Sequence, residues 1–445
     1  MGGKSRQRRL EIVHRHCAGI DIGADAHFVA VDPGCAEVSV RRFGSFTDEL
    51  ESMATWLSQC GVNAVAMEAT GVYWIPVYEV LDRAGFEVHL VNPRATKQVS
   101  GRKSDVLDCE WTRQLMSYGL LRSAYRPADE ICELRAFVRL RAGLTRDAAR
   151  SVQHMQKALT QMNVQIDRVL SDITGKTGLC ILRAIVNGER DPQVLASYRD
   201  RRVKADAETI ARSLHGNWRA EHVFALRQAL ERHDFLQAQI RACEAQISTC
   251  VGELAEEVET GPETKPAASR RTAAQRQLAG SLKRLMGVDL TAIPTIGLET
   301  ALVIASEIGP DLSRFPNCQH FCSWLTLAPP TRISGGKPLP GRNGHRPVNV
   351  AGQALRLAAT TARHSQTFIG AAHRARLARM DKAQAVKATA HQLARLIYAM
   401  LTQGQEYVER GIDDFEQRRQ DRQLRHLKRQ ASRLGLELVP LESAA

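Results

Sequence analysis

The sequence has no uninterrupted apolar stretch long enough to span a bilayer, and its basic start, KSRQRRLEIVHRH, is not followed by the apolar core of an export signal. A soluble, cytoplasmic protein is therefore expected. Ten cysteines are present but follow no spaced framework. The nearest pair, Cys318 and Cys322 around His320, lacks a second pair of ligands, so reduced thiols packed in helices are favoured over zinc. GKTG lacks the full spacing of a phosphate loop and reads as a turn. Acidic residues are also short. Against 61 Lys and Arg stand 48 Asp and Glu, which leaves a net charge of +13 and a surface that attracts phosphate backbones more readily than anionic lipid. At 445 residues and 44% apolar content the chain exceeds one core and can fill two or three.

Within this basic chain four carboxylates stand out: Asp21 in GIDIG, Glu68 in AMEATG, and Asp105 and Asp108 in GRKSDVLD. The first 125 residues read as α/β. HCAGIDIGA, HFVAVDP and EVSVRRFGS are short β-rich runs bounded by turn residues, an antiparallel meander. A helix over TDELESMATWLSQCG follows, with Thr47 as N-cap, then strand AVAMEA, helix VYWIPVYEVLDRAG and strand EVHLVNP. That order suits an RNase H-like mixed sheet, with Asp21 on the first strand and Glu68 at the end of the fourth, its neighbour. Asp105 and Asp108, three apart on the next helix, share a face. Hard divalent cations take oxygen ligands, and a pair of them activates an attacking oxygen and neutralises a leaving one at a phosphodiester. Each carboxylate alone reads more simply: Asp21 starting a turn, Glu68 capping a helix, Asp105 and Asp108 in a solvated first turn. Their joint placement on one sheet favours a metal site holding Mg²⁺ or Mn²⁺.

From about Arg126 to Val258 the chain is helical with heptad character. Val152, Met155, Leu159, Met162, Ile166, Val169 and Ile173 keep a three-then-four spacing, and Leu226, Leu230, Ile240, Ile247, Val251, Leu254 and Val258 resume it, interrupted by His233, Gln237 and Glu244. The narrow seam favours a dimerisation arm over an internally packed bundle. TGPETKPAASRRTAAQRQLAGS, poor in large apolar residues, reads as a linker. GVDLTAIPTIGLETALVIASEIG then has the helix, tight turn, helix pattern that offers backbone N–H groups to phosphate. RISGGKPLPGRNGHRP is a Gly- and Pro-rich loop made basic by Arg332, Lys337, Arg342 and Arg346, candidate nucleic-acid contacts. Two long helices and a charged tail, FEQRRQDRQLRHLKRQASR, complete the chain.

The strings GIDIGADAHFVAV, MEATGVYWIPVYEVL, NPRATKQVSGRKSDVLD, DLSRFPNCQHFCSWL, RISGGK and QALRLAA resemble the DEDD transposases of the insertion-sequence-110 family, the last three its 1111 subgroup. The resemblance runs in order through nearly the whole chain. It implies a bacterial protein with a RuvC-like catalytic domain at 1–125, a coiled-coil region at 126–258 and a linker at 259–281. A mostly helical transposase domain at 282–410 and a charged helical tail at 411–445 would follow. The implied tetrad is Asp21, Glu68, Asp105 and Asp108, with Ser334 as the nucleophile that joins covalently to DNA. It also implies DNA element ends and target, a bridge RNA that pairs with both, and a homodimer or tetramer. Read from chemistry alone, Ser334-Gly335-Gly336 is a flexible turn, because a serine hydroxyl needs a base or metal before it attacks.

The chain departs from the family pattern at Thr295 and Thr326, where glycine is usual and a Cβ disfavours positive φ. It departs again at Asn349-Val350 and at His373-Arg374-Ala375, where phosphate contacts are expected to be lost. Other classes explain less. IDIG also opens the phosphate hairpin of sugar kinases and actin-like ATPases, yet no second such hairpin follows. A non-catalytic coiled-coil nucleic-acid-binding protein accounts for the charge but not the carboxylates. A RuvC-like Holliday-junction nuclease has use for the carboxylates and none for Ser334.

Overall fold

The computed structural model describes residues 11–69, 71–91, 105–256, 271–328, 333–334, 337–338 and 349–406, with scattered positions of the tail from 417 to 433. For 105–107, 333, 334, 337 and 338 it gives the backbone alone. The chain divides into two units, Met1–Arg126 and Pro127–Ala445.

The first unit is a five-stranded mixed sheet clad by helices. Its elements are β1 (Cys17–Ile22), β2 (Ala26–Ala30), β3 (Val40–Gly44), α1 (Thr47–Gln59), β4 (Ala64–Glu68), α2 (Trp74–Arg83), β5 (Glu87–Val91) and α3 (Asp105–Ser117). The strand order is β3-β2-β1-β4-β5. The first three strands pair antiparallel, while β4 runs parallel to both β1 and β5. A meander followed by parallel crossover strands is compatible with an RNase H-like domain. Strand AVAME is buried almost throughout, as a parallel strand covered on both faces must be. On one face Ile20, Val65 and Met67 pack against Leu50, Met53 and Leu57 of α1 and Val77 and Leu81 of α2. On the other, Cys17, Ala64, Ala66 and Val91 pack with Met116 of α3. The N-cap of α1 is Phe46, not Thr47, and it supplies no side-chain cap.

The second unit is almost entirely helical. Its first helix, α4 (Asp129–Gln161), is followed by the short helices α5 (Ile166–Val169), α6 (Lys176–Val186), α7 (Pro192–Ser197) and α8 (Ala207–Ser213), and the chain returns along α9 (Ala220–Glu256). At 33 and 37 residues the two long helices run about 50 and 55 Å. They pair antiparallel: Cys243 Sγ meets Phe137 O at 3.2 Å, and Met155 and Leu159 share a core with Leu226 and Leu230. The apolar series from Val152 to Ile173 does not continue along one helix. The chain turns at Asn163 (φ 56°), just after α4 ends, and Met162, Ile166 and Ile173 bury among Ile181, Leu195 and Leu214 of the helical insert. The seam read as a dimer contact at 152–173 is consumed by the chain's own core. The apolar period reports a buried face and is silent on which chain covers it.

After the long hairpin come α10 (Ala273–Met286), α11 (Leu298–Ile308), α12 (Cys318–Trp324), a two-residue pair β6 (Ile333–Ser334) and β7 (Lys337–Pro338), then α13 (Val350–Thr361), α14 (Phe368–Leu377) and α15 (Lys382–Gln403). The segment read as a linker over 259–281 becomes helix at Ala273, started by a capping box between Thr272 and Gln275. Residues 257–270, and most of the tail read as a solvated helix, lie outside the described residues. The base of α4 is fastened to α11. Arg139 makes a two-pronged contact with the buried Glu307 carboxylate, 2.8 Å on each prong, and Arg135 Nη2 donates to Glu307 O at 2.8 Å. All ten cysteines are free, and Cys318 and Cys322 approach to 4.0 Å between sulfurs.

Candidate catalytic site

Strand register brings the first two carboxylates together. The parallel ladder between β1 and β4 ends with Ile20 opposite Met67, and one step beyond, at the same end of the sheet, stand Asp21 and Glu68. Side chains alternate along a strand, so Asp21 follows Cys17 and Gly19, and Glu68 follows Ala64 and Ala66, onto the face that α3 covers. Both carboxylates are half-buried.

That face is built from small residues for a reason visible at Gly19. A Cβ there would lie 2.3 Å from the backbone nitrogen of Arg113 and 2.3 Å from the carbonyl oxygen of Cys109, so α3 rests directly on β1. The close approach puts the buried Cys109 beside the acidic strand end. Burial first, and then the negative charges of Asp21 and Glu110, push its thiol up to about 12. Asp108, the residue before Cys109, is exposed, and Asp105 opens the helix one turn earlier. Arg113 steadies the same helix from its far turn, 3.4 Å from Asp32. Among the described residues no three His, Cys, Asp or Glu side chains converge closely enough to hold an ion, and the side chain of Asp105 is outside that description. Carboxylates gathered without a cation repel one another, so a set that spreads until metal arrives is the physical expectation. The donors fit the hard divalent ions considered above: carboxylate oxygens on two adjacent strand ends and on the helix beside them.

In the second unit, Ser334 pairs with Lys337 across the short ladder of β6 and β7, and Ile333 with Pro338. Only Gly335 and Gly336 separate the paired positions, the length of the tightest hairpin connection, so the segment read as a Gly- and Pro-rich loop carries a short antiparallel pair at its start. Arg332, Arg342 and Arg346 lie outside the described residues, and Lys337 is described by backbone alone. The ends of the segment are tied together. Asn349 Nδ2 donates to Trp324 O at 3.2 Å while its Oδ1 caps α13 at Gly352 N, and Arg356 Nη2 donates to Thr326 O at 3.1 Å and to Thr326 Oγ1 at 3.2 Å.

Two matches with protein families fit this arrangement. A model of the DEDD transposases of the IS110 type, described as a transposase, matches residues 18–164, which hold all four carboxylates. A second, described as a transposase of the IS116/IS110/IS902 family, matches residues 289–373, which hold Ser334. Together they account for more than half of the chain. The chain belongs to the IS110 family of transposases. No curated protein matches it. The family generally uses divalent metal ions, and the transposase has no described helix long and apolar enough to cross a membrane.

The threonines standing where glycine was expected both adopt left-handed backbone. Thr295 has φ 75° and Thr326 φ 59°, so positive φ is reached here in spite of the Cβ. Thr326 is compensated by Arg356; the Thr295 hydroxyl is buried with no hydrogen-bond partner among the described residues. After Thr295, Gly297 is the N-cap of α11, with no side-chain cap and with open space where a Cβ would stand. His373 is buried against Thr389 Oγ1 at 2.9 Å and Arg374 donates to the carbonyls of Arg363 and Ser365, so both serve packing. Sequence reasoning missed Gly19 and Cys109, which set the distance between β1 and α3. It also gave no role to Arg356, although that residue stands in the string QALRLAA.

Proposed function

We propose that the transposase excises and inserts a mobile element by DNA strand transfer in which Asp21, Glu68, Asp105 and Asp108 hold divalent metal and Ser334 is the attacking group. The observation that carries this reading is the placement of Asp21 and Glu68 on adjacent parallel strand ends, on the face closed by the helix that begins at Asp105. Mg²⁺ or Mn²⁺ bound there would screen the phosphate charge and stabilise the departing oxygen. The remaining work falls to the chain. Ser334 Oγ forms a bond to phosphorus as the bond from phosphorus to a deoxyribose oxygen breaks; a base takes the serine proton and the departing oxygen gains one. Because the phosphodiester count is conserved, a hydroxyl of a second strand reverses the step and rejoins DNA without an outside energy source.

Arg332, Lys337, Arg342 and Arg346 supply backbone phosphate contacts in this reading, alongside the N–H groups at the start of α11, which no side chain caps. A bridge RNA gives the target its sequence by base pairing, in keeping with a chain whose excess of 13 positive charges suits two polyanions. Assembly as a dimer or tetramer belongs to the same reading, because two element ends are handled together. It uses faces other than 152–173.

The test is substitution of Asp105 by Asn. Metal-dependent strand cleavage is expected to be lost while DNA binding in chelator persists, and cleavage at the unaltered rate would overturn the assignment. Removing RNA with ribonuclease before assay is expected to abolish target choice; unchanged insertion would overturn guidance by RNA.

A further inference from the structure

Between Asn349 and Gln403 the sequence holds eight Lys and Arg and a single acidic residue, Asp381. The Asp381 carboxylate is engaged with the backbone N–H groups of Ala383 and Gln384, at 2.9 and 3.1 Å, as the cap of α15. What it leaves is a positive field. Burial holds the pKa of His391 low, and Arg395, Lys387 and Arg376 press it lower.

On this surface lies an open cleft of about 610 Å³, lined by Arg356 of α13 and by Lys382, Ala383, Val386 and Lys387 of α15. Its cations come from different helices and its floor is apolar. Arg356 is held in place through Nη2 alone, by Thr326, which leaves Nε and Nη1 without a hydrogen bond among the described residues. A guanidinium already fixed loses little freedom on binding an anion, and its planar fork matches phosphate oxygens. The volume far exceeds one phosphate, while an apolar floor between cations suits a sugar–phosphate chain. The cleft also sits where the ends of the Ser334 segment are tied, at Trp324–Asn349 and Thr326–Arg356.

We propose that this cleft is a DNA-backbone subsite, in which Arg356, Lys382 and Lys387 grip phosphates of the strand that continues past the Ser334 hairpin. The proposal rests on the second unit acting on DNA, and is independent of which group attacks phosphorus.

The test is equilibrium binding of the full chain in chelator, where no strand is cut, to a short duplex, the matching single strand and the matching RNA over a series of salt concentrations. Each phosphate contact removed lowers the slope of log affinity against log salt by about 0.9. Lys382→Ala with Lys387→Ala is expected to lower the duplex slope by about 2, and Arg201→Ala with Arg212→Ala, on the helical insert, to leave it unchanged. Lys382→Glu, at an exposed position, is expected to weaken duplex binding with unaltered folding. Equal slopes for both double variants, or a loss confined to the RNA, would overturn the subsite. Failure of the unaltered chain to bind any DNA would overturn the reading of the second unit as well, whereas loss of cleavage with the slopes as expected would leave the subsite standing.

Discussion

Adding one methyl group at Gly19 isolates the contact on which the acidic site depends. A Cβ at this position meets the Arg113 nitrogen and the Cys109 oxygen at 2.3 Å and the Arg113 Cα at 2.9 Å. All three are backbone atoms, so no rotamer relieves the clash. Ordinary contact begins near 3.4 Å, and α3 must therefore move from β1 by about 1 Å. Overpacking of this kind costs about 1–3 kcal/mol, within what a domain tolerates. The same shift carries Asp105 and Asp108 away from Asp21 and Glu68, and a misplacement of about 1 Å costs on the order of 100-fold in rate. Gly19→Ala is therefore expected to slow metal-dependent strand cleavage about 100-fold with DNA binding retained and urea unfolding shifted modestly. Gly143→Ala, in α4 with open space at its Cβ, is the control: no loss of activity and a helix more stable by about 0.5–1 kcal/mol. A Gly19→Ala protein with unaltered rate and unaltered stability would refute the packing argument.

Four further outcomes follow from the second unit. Thr295→Gly relieves a left-handed residue worth about 1–2 kcal/mol and removes a buried unpaired hydroxyl; set against the added freedom of the unfolded chain, urea unfolding should show a gain of about 1 kcal/mol. Thr326→Gly should gain less, because it forfeits the Arg356 bond to Oγ1. Glu307→Ala should cost about 3 kcal/mol by the same assay, the low end for a broken buried ion pair because Arg139 is half-exposed. His373 is held below the usual histidine range by burial and then by Arg376, Arg363 and Arg374. As pH falls below about 6.5 the unfolded chain takes up this proton first, so stability present above that pH is lost at up to about 1.4 kcal/mol per unit until the folded group titrates. Denaturation across pH 5–8 should show a shallower slope for His373→Gln, and an identical slope would contradict the burial argument.

Much of the first unit was legible because its short β-rich runs are bounded by turn residues, and because three strands followed by alternating helix and strand leave few sheet orders open. Asp21 and Glu68 become neighbours from that order alone. The spacing between β1 and α3 was not legible, since it depends on Gly19 facing a helix ninety residues later. The series Val152 to Ile173 announced an apolar face but not its partner, and the turn at Asn163 that folds it inward carries no strong signal. Residues 273–281 hold a single large apolar side chain, Leu278, yet Ala, Gln and Arg are good helix formers, and the Thr272 cap starts them. The threonines at 295 and 326 show the limit of a local rule: a cost of about 1–2 kcal/mol disfavours a conformation, and the surrounding fold outweighs it. The basic cleft joins Arg356 to Lys382 and Lys387, too far apart along the chain for any motif.

The most direct test of the account is recovery of DNA joined to the chain under denaturing conditions, with metal present, from the unaltered protein and from Ser334→Ala. The account predicts a denaturant-resistant adduct from the former and none from the latter, with strand cleavage lost in parallel. Full cleavage by Ser334→Ala, without an adduct from either protein, would contradict it and assign the four carboxylates to hydrolysis.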